Sequence, residues 1–174
     1  MNKRSHQATL WALMASALAA ALSFGAPALA QTDLNTTAEL NIEPPAKFDI
    51  GQAVAFEVSP RSRLSYALIP NTLSIGSDGI VRYVMVVTSP TGAQNVLFDA
   101  VRCASDDSKT LARWSNTQKH WFANENSSWA DVNDLKHRYS QVLARGIFCE
   151  NHVTRRTVDE MLGELNRRKG AGFY

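Results

Sequence analysis

Apolar positions change rhythm several times along this chain. Leu10 to Phe24 is a run of fifteen residues without a charge. Residues 31–52 are polar, carry Pro44-Pro45 and show little periodicity, which predicts a flexible arm. From Ala53 the pattern becomes alternating. Val54, Phe56 and Val58 predict a strand that Ser59-Pro60 breaks, and Leu64 to Ile69 predicts a second, stopped by Pro70-Asn71. Ser77-Asp78-Gly79 is a turn signal, because Asp-Gly tolerates positive φ. Ile80 to Thr88 is dominated by β-branched and aromatic residues, and Ser89-Pro90-Thr91-Gly92 separates it from Asn95 to Cys103. Those two long strands are expected to pair as an antiparallel hairpin, with Cys103 near the end of a central strand. Ser105 to Ser108 reads as a polar turn, and Leu111 to Ser115 as a returning strand.

At Val132 the period changes from two to about 3.6. Val132, Leu135, Tyr139 and Val142 fall on one helical face, Asp131 is placed to cap the start, and Gly146 marks the end. Thr157-Val158-Asp159-Glu160 is a capping box that opens a final helix, whose Val158, Met161, Leu162 and Leu165 form an apolar stripe and which Gly170 stops. The predicted fold is α+β: an antiparallel sheet of about five to six strands packed with one or two C-terminal helices. A single domain is expected over residues 53–174, with no internal repeat and no second linker.

Chemistry enters first at the N-terminus. Lys3, Arg4 and His6 precede the apolar run, and Ala28-Leu29-Ala30 follows it, which is the pattern of a cleaved signal peptide over residues 1–30 with the cut between Ala30 and Gln31. The run is shorter than the roughly 20 residues that span a bilayer, and Pro27 follows it. Gln31, not a cysteine, follows the cut, so no lipid anchor is expected. The expected location is the periplasm or the exterior, with no membrane span after cleavage. Removing Lys3 and Arg4 leaves 16 basic residues against 16 acidic ones. A neutral chain with scattered positive residues carries no footprint for a phosphate backbone, so nucleic acid is not an expected partner. Arg155, Arg156, Arg167, Arg168 and Lys169 make a local basic end, which reads as a solvated helix C-terminus.

Cys103 and Cys149 are the only cysteines. In an oxidising compartment they are expected to form a disulfide that ties the exit of the first helix to the sheet. The competing reading is a Cys149 thiolate activated by His152 three residues later. A metal site from His120, His137, His152 and Glu150 lacks ligand-like spacing, so neither metal nor cofactor is expected. Asp106 or Asp107 with Glu125 could serve as acid and base in an enzyme acting on a polymer or small molecule, although Asp106-Asp107 reads more simply as a solvated turn. No catalytic residue is assigned. Trp114, Trp121 and Trp129 are the candidate aromatic binding residues, because aromatic groups beside the polar stretch Asn124 to Ser128 can stack a glycan or anchor a protein; core packing is the alternative.

Taken in order, Ala55-Phe56-Glu57-Val58, Leu73 to Tyr83, Ser89 to Val96, Arg102-Cys103, the spaced Trp121 and Trp129, and Phe148-Cys149 resemble the CNP1-like proteins, small exported proteins of proteobacteria. The resemblance covers about Phe56 to Cys149. It departs at Glu150, where the family commonly has proline, and in the longer helical tail. It implies a structural pattern and no assigned chemistry. The arrangement of strand hairpin, cysteine-bearing strand and linked helix is also similar to that of surface-adhesin E proteins, which bind host proteins. Together these readings point to a non-catalytic binding or structural module for an envelope protein or cell-wall component, with homodimerisation through an edge strand as a further possibility.

Overall fold

Val81–Thr88 (β3) is buried on both faces over its first six residues, so the chain must cover two sides of this strand. Tyr83 and Met85 join one apolar cluster and Val84 and Val86 the other, as the two-residue period of a strand requires. The structure, a computed structural model, describes residues 41–134 and 138–170, within one compact unit spanning Thr36–Tyr174. The leader and its Ala30/Gln31 cut lie outside the described residues, as do Leu135 and His137.

The fold is α+β. Strands Val54–Phe56 (β1), Ser65–Ile75 (β2), β3, Gln94–Arg102 (β4), Asp107–Ser115 (β5) and His120–Ala123 (β6) lie in that order, and Ala130–Asp131 (β7) also pairs with β5. Every pairing is antiparallel. The expected hairpin forms, with Val81 opposite Val101 and Thr88 opposite Gln94. Strands β6 and β7 carry little sequence signal of their own, because four and two residues are too few to display a period.

Pro70 does not end β2. The strand continues to Ile75, and its register against β3 shifts between Ile69 and Ser74. Proline removes a ladder donor, and a bulge accommodates the loss. Thr72 then repairs the ladder: its hydroxyl donates to the Ile69 carbonyl at 2.7 Å and accepts the Val84 N–H at 2.9 Å.

The helical layer covers the first face, where Leu68, Tyr83, Met85 and Val101 meet Leu143, Ile147, Phe148, Met161 and Leu165. Arg138–Leu143 (α1) is short and continues as a wider π turn over Ala144–Phe148. Val132 lies in a turn rather than on this helix, and Asp131 caps that turn by accepting the Asn133 N–H at 2.8 Å. Gly146 therefore does not stop the helix. A Cβ there would stand 2.6 Å from the Arg168 guanidinium carbon, so glycine lets the last helix cross closely. That helix, Val158–Gly170 (α2), has the expected cap: Thr157 Oγ1 accepts the Glu160 N–H at 3.2 Å, while the Glu160 carboxylate reaches back to the Arg156 N–H at 3.0 Å.

Between the helices, Cys149–Glu150 (β8) and Val153–Thr154 (β9) form a tight hairpin. Asn151 and His152 both take positive φ, 50° and 64°, which a two-residue turn of this hand requires. Cys103 and Cys149 are joined, with Cα atoms 5.5 Å apart and a sequence separation of 46. The bond ties the end of β4 to the exit of the helical segment.

Candidate functional site

The second face of the sheet is closed by the described part of the N-terminal segment. Phe48, Ile50 and Ala53 pack on the cluster of Ile69, Val84, Val86, Val96, Phe98 and Ala112. Asp49 caps a 3-10 turn at Ile50–Gln52 by accepting the Gly51 N–H at 2.8 Å. The segment thus runs as a strap from the β6 side of the sheet towards β1. Its landing point is aromatic. The Phe48 ring sits 5.0 Å from Trp114, edge to face, and 5.3 Å from Trp121, and the Trp121 indole N–H donates to the Pro45 carbonyl at 3.0 Å.

Trp114 and Trp121 are direct cross-strand partners on β5 and β6, with ring centroids 5.4 Å apart. Both are half-buried: they anchor the strap and they also line open space. Between the strap and β5–β6 lies a groove of about 820 Å³, lined by Asn41 to Pro44 and Ala46 on one side and by Leu111, Trp114, Trp121, Lys119, His120, Asn124 and Glu125 on the other. Apolar surface and a rim of mixed charge in a cavity of this size suit an extended ligand of moderate polarity. The strap's contribution is the part missing from the sequence-level reading. A signal for it exists, since Ile42, Phe48 and Ile50 are large apolar residues in a stretch rich in polar ones.

Trp129 is placed elsewhere. Arg102 stacks its guanidinium 4.1 Å above the Trp129 ring, and Lys109 approaches to 5.8 Å. The three tryptophans are therefore not one site. Arg102 also pairs with Asp107 at 2.6 Å, while Asp106 pairs with Arg145 at 3.3 Å and lies 3.4 Å from His152. Each carboxylate of the turn thus faces a cation, and Glu125 stands on the groove rim. His152 serves a turn conformation beside a sulfur already in a disulfide, which removes the thiolate reading. Among the described residues, no group of three or more His, Cys, Asp or Glu side chains is arranged to hold a metal ion.

A polar cluster absent from the sequence reading lies under the helical layer. Asp99 on β4 is 2% exposed, faces Tyr83 across the β3 register, and accepts the Tyr139 hydroxyl at 3.0 Å. Burial raises the Asp99 carboxyl to about 6, with the Thr110 and Tyr139 hydroxyls and the field of Arg113 opposing. Burial, and then the negative field of Asp99, also raise Tyr83 and Tyr139, so both phenols stay neutral. Sealed between sheet and helices, this group is a buried proton acceptor rather than a site open to a substrate.

The model of the CNP1-like family matches residues 33–166 of the chain, a span that includes the strap, both cysteines and most of α2. No curated protein and no solved structure matches.

Proposed function

The chain belongs to the CNP1-like family, and from that premise we propose that it is an exported, non-catalytic binding module that takes an envelope protein or cell-wall component at the groove between the strap and β5–β6. The observation that carries this reading is the pairing of Trp114 and Trp121 beside about 820 Å³ of open groove. Aromatic side chains supply large contact area at low entropic cost, and they are the residues on which binding energy concentrates. Export is supported by the leader pattern at residues 1–30 and by the Cys103–Cys149 bond. No helix among the described residues is long and apolar enough to cross a membrane.

The test is capture in intact cells. A photo-crosslinking residue in place of Lys119, on the groove rim, is expected to trap a reproducible envelope component, and the same residue in place of Arg156, near the start of α2, is expected to trap none. Equal capture from both positions, or from neither, refutes the groove as the binding site. Mass analysis of the exported protein should find Gln31 as its first residue; retention of residues 1–30 refutes the leader.

A further inference from the structure

The strap itself reports what the groove accepts. Ile42, Pro45 and Phe48 recur every third residue. Ile42 lines the groove, Pro45 gives its carbonyl to Trp121, and Phe48 enters the Trp114–Trp121 pair. Pro45 and Phe48 are half-buried, whereas Ile42, Glu43, Ala46 and Lys47 are exposed. A period of three is that of a polyproline II helix, which presents one ridge every third residue. The sequence favours that conformation, because each proline ring fixes its own φ and restrains the residue before it to extended geometry, and Pro44-Pro45 does both twice.

The mode of attachment agrees. Among the described residues, 41–48 form no strand and make no backbone ladder with the sheet. An indole N–H on a proline carbonyl and aromatic rings around a following apolar residue are how aromatic grooves read extended proline segments. The fit is also loose. Beside the groove of about 820 Å³, a second space of about 420 Å³ lies along Lys47 to Ile50.

We propose that the Trp114–Trp121 face is a binding site for extended, proline-bearing peptide segments with an apolar residue three positions after the proline, held in cis by the chain's own Ile42–Phe48. This rests on the binding-module reading and names its ligand class. The strap is an intramolecular occupant that a partner segment of the same chemistry displaces. A tethered segment competes at an effective concentration of the order of millimolar, so the intact chain resists weak ligands and yields only to a segment that binds better.

The experiment uses the full exported chain and a fluorescein-labelled synthetic peptide with the sequence of residues 41–52. Phe48→Ala removes the aromatic anchor of the strap. This variant is expected to bind the peptide at least tenfold more tightly than the unaltered chain. A peptide with alanine at the positions of Pro45 and Phe48 should not bind. If Phe48→Ala does not unfold cooperatively, Phe48→Leu carries the same comparison. A folded variant that ignores the peptide, or that binds it no better than the alanine control, overturns the proposal. So does a variant that instead takes a soluble glycan-strand fragment, or that only exchanges straps with a second copy. Those last results leave capture from Lys119 in cells intact, whereas failure of that capture removes the binding module itself.

Discussion

Tyr139 donates its hydroxyl to the Asp99 carboxylate at 3.0 Å, and this bond connects the helical layer to the middle of the sheet through a buried acid. Its consequence is a dependence of stability on pH whose sign is fixed. Burial raises Asp99 from 3.8 to about 6, so the folded chain holds this proton more tightly than the unfolded chain. Folding then takes up a proton between about pH 4 and 6, and the Asp99 contribution to stability falls as the pH rises through that window. Above it, the buried charge costs about 3 kcal/mol relative to acid conditions. Asp99→Asn keeps an acceptor for Tyr139 and removes the charge. In urea unfolding the variant should exceed the unaltered chain at pH 7.5 and lose its advantage near pH 4.5. A stability difference that does not change with pH contradicts the assignment.

The second buried charge, Arg82, has a partner of opposite sign. Arg82 meets Asp78 through both carboxylate oxygens, at 3.1 and 2.7 Å, with the two side chains 1% exposed. Asp78 also accepts the Ile80 N–H at 3.1 Å, so one carboxylate shapes the turn and neutralises the guanidinium. Gly76 makes room for the pair: a Cβ there would collide with Asp78 Oδ1 and stand 2.7 Å from Arg82 Nη1. Asp78→Ala should cost about 3–5 kcal/mol, because it strands a buried cation. Arg82→Met combined with Asp78→Ala should cost clearly less than the sum of the two single changes, measured as a double-mutant cycle by denaturant unfolding. Additive losses would show that the two residues act independently.

The disulfide closes a loop of sequence separation 46 between the sheet and the helical exit. In the chain-entropy description, a loop of that length stabilises the folded state by about 4 kcal/mol. Replacing both cysteines with alanine should lower the unfolding free energy by an amount of that order, with the loss seen mainly as earlier release of α1 and the π turn in hydrogen exchange. An unchanged denaturation midpoint would mean that burial of the two chain ends, rather than the bond, holds the layers together.

The long hairpin β3–β4, the α2 capping box and the cysteine pair were all legible in the sequence, because each is written in local chemistry: β-branched runs around a Gly-containing turn, Thr157 with Glu160, and two cysteines beyond a leader. Legibility fails where a distant partner decides the outcome. Pro70 breaks a strand by its own chemistry, yet Thr72 restores the ladder from within the bulge. Gly146 looks like a helix stop, but it serves the passage of Arg168, more than twenty residues later in the sequence. Asp131 looks like a helix cap and instead closes a turn of its own. The candidate site divides in the same way. Trp114 and Trp121 stand out in any reading of the sequence, while the strap that completes their groove resembles a linker, because Pro45 and Phe48 gain meaning only when the tertiary fold supplies the indole they meet. Trp129 carries the same sequence signal and lies under Arg102 instead.

On the proposed function, a partner occupies the Trp114–Trp121 groove where the protein works. Oxidative footprinting of the three tryptophans, compared between intact cells and the purified chain, tests it most directly, because Trp129 serves as an internal control away from the groove. Trp114 and Trp121 should be labelled several-fold less in cells than in the purified protein, with Trp129 labelled equally in both. Equal labelling of all three tryptophans in both settings would show that no partner occupies the groove.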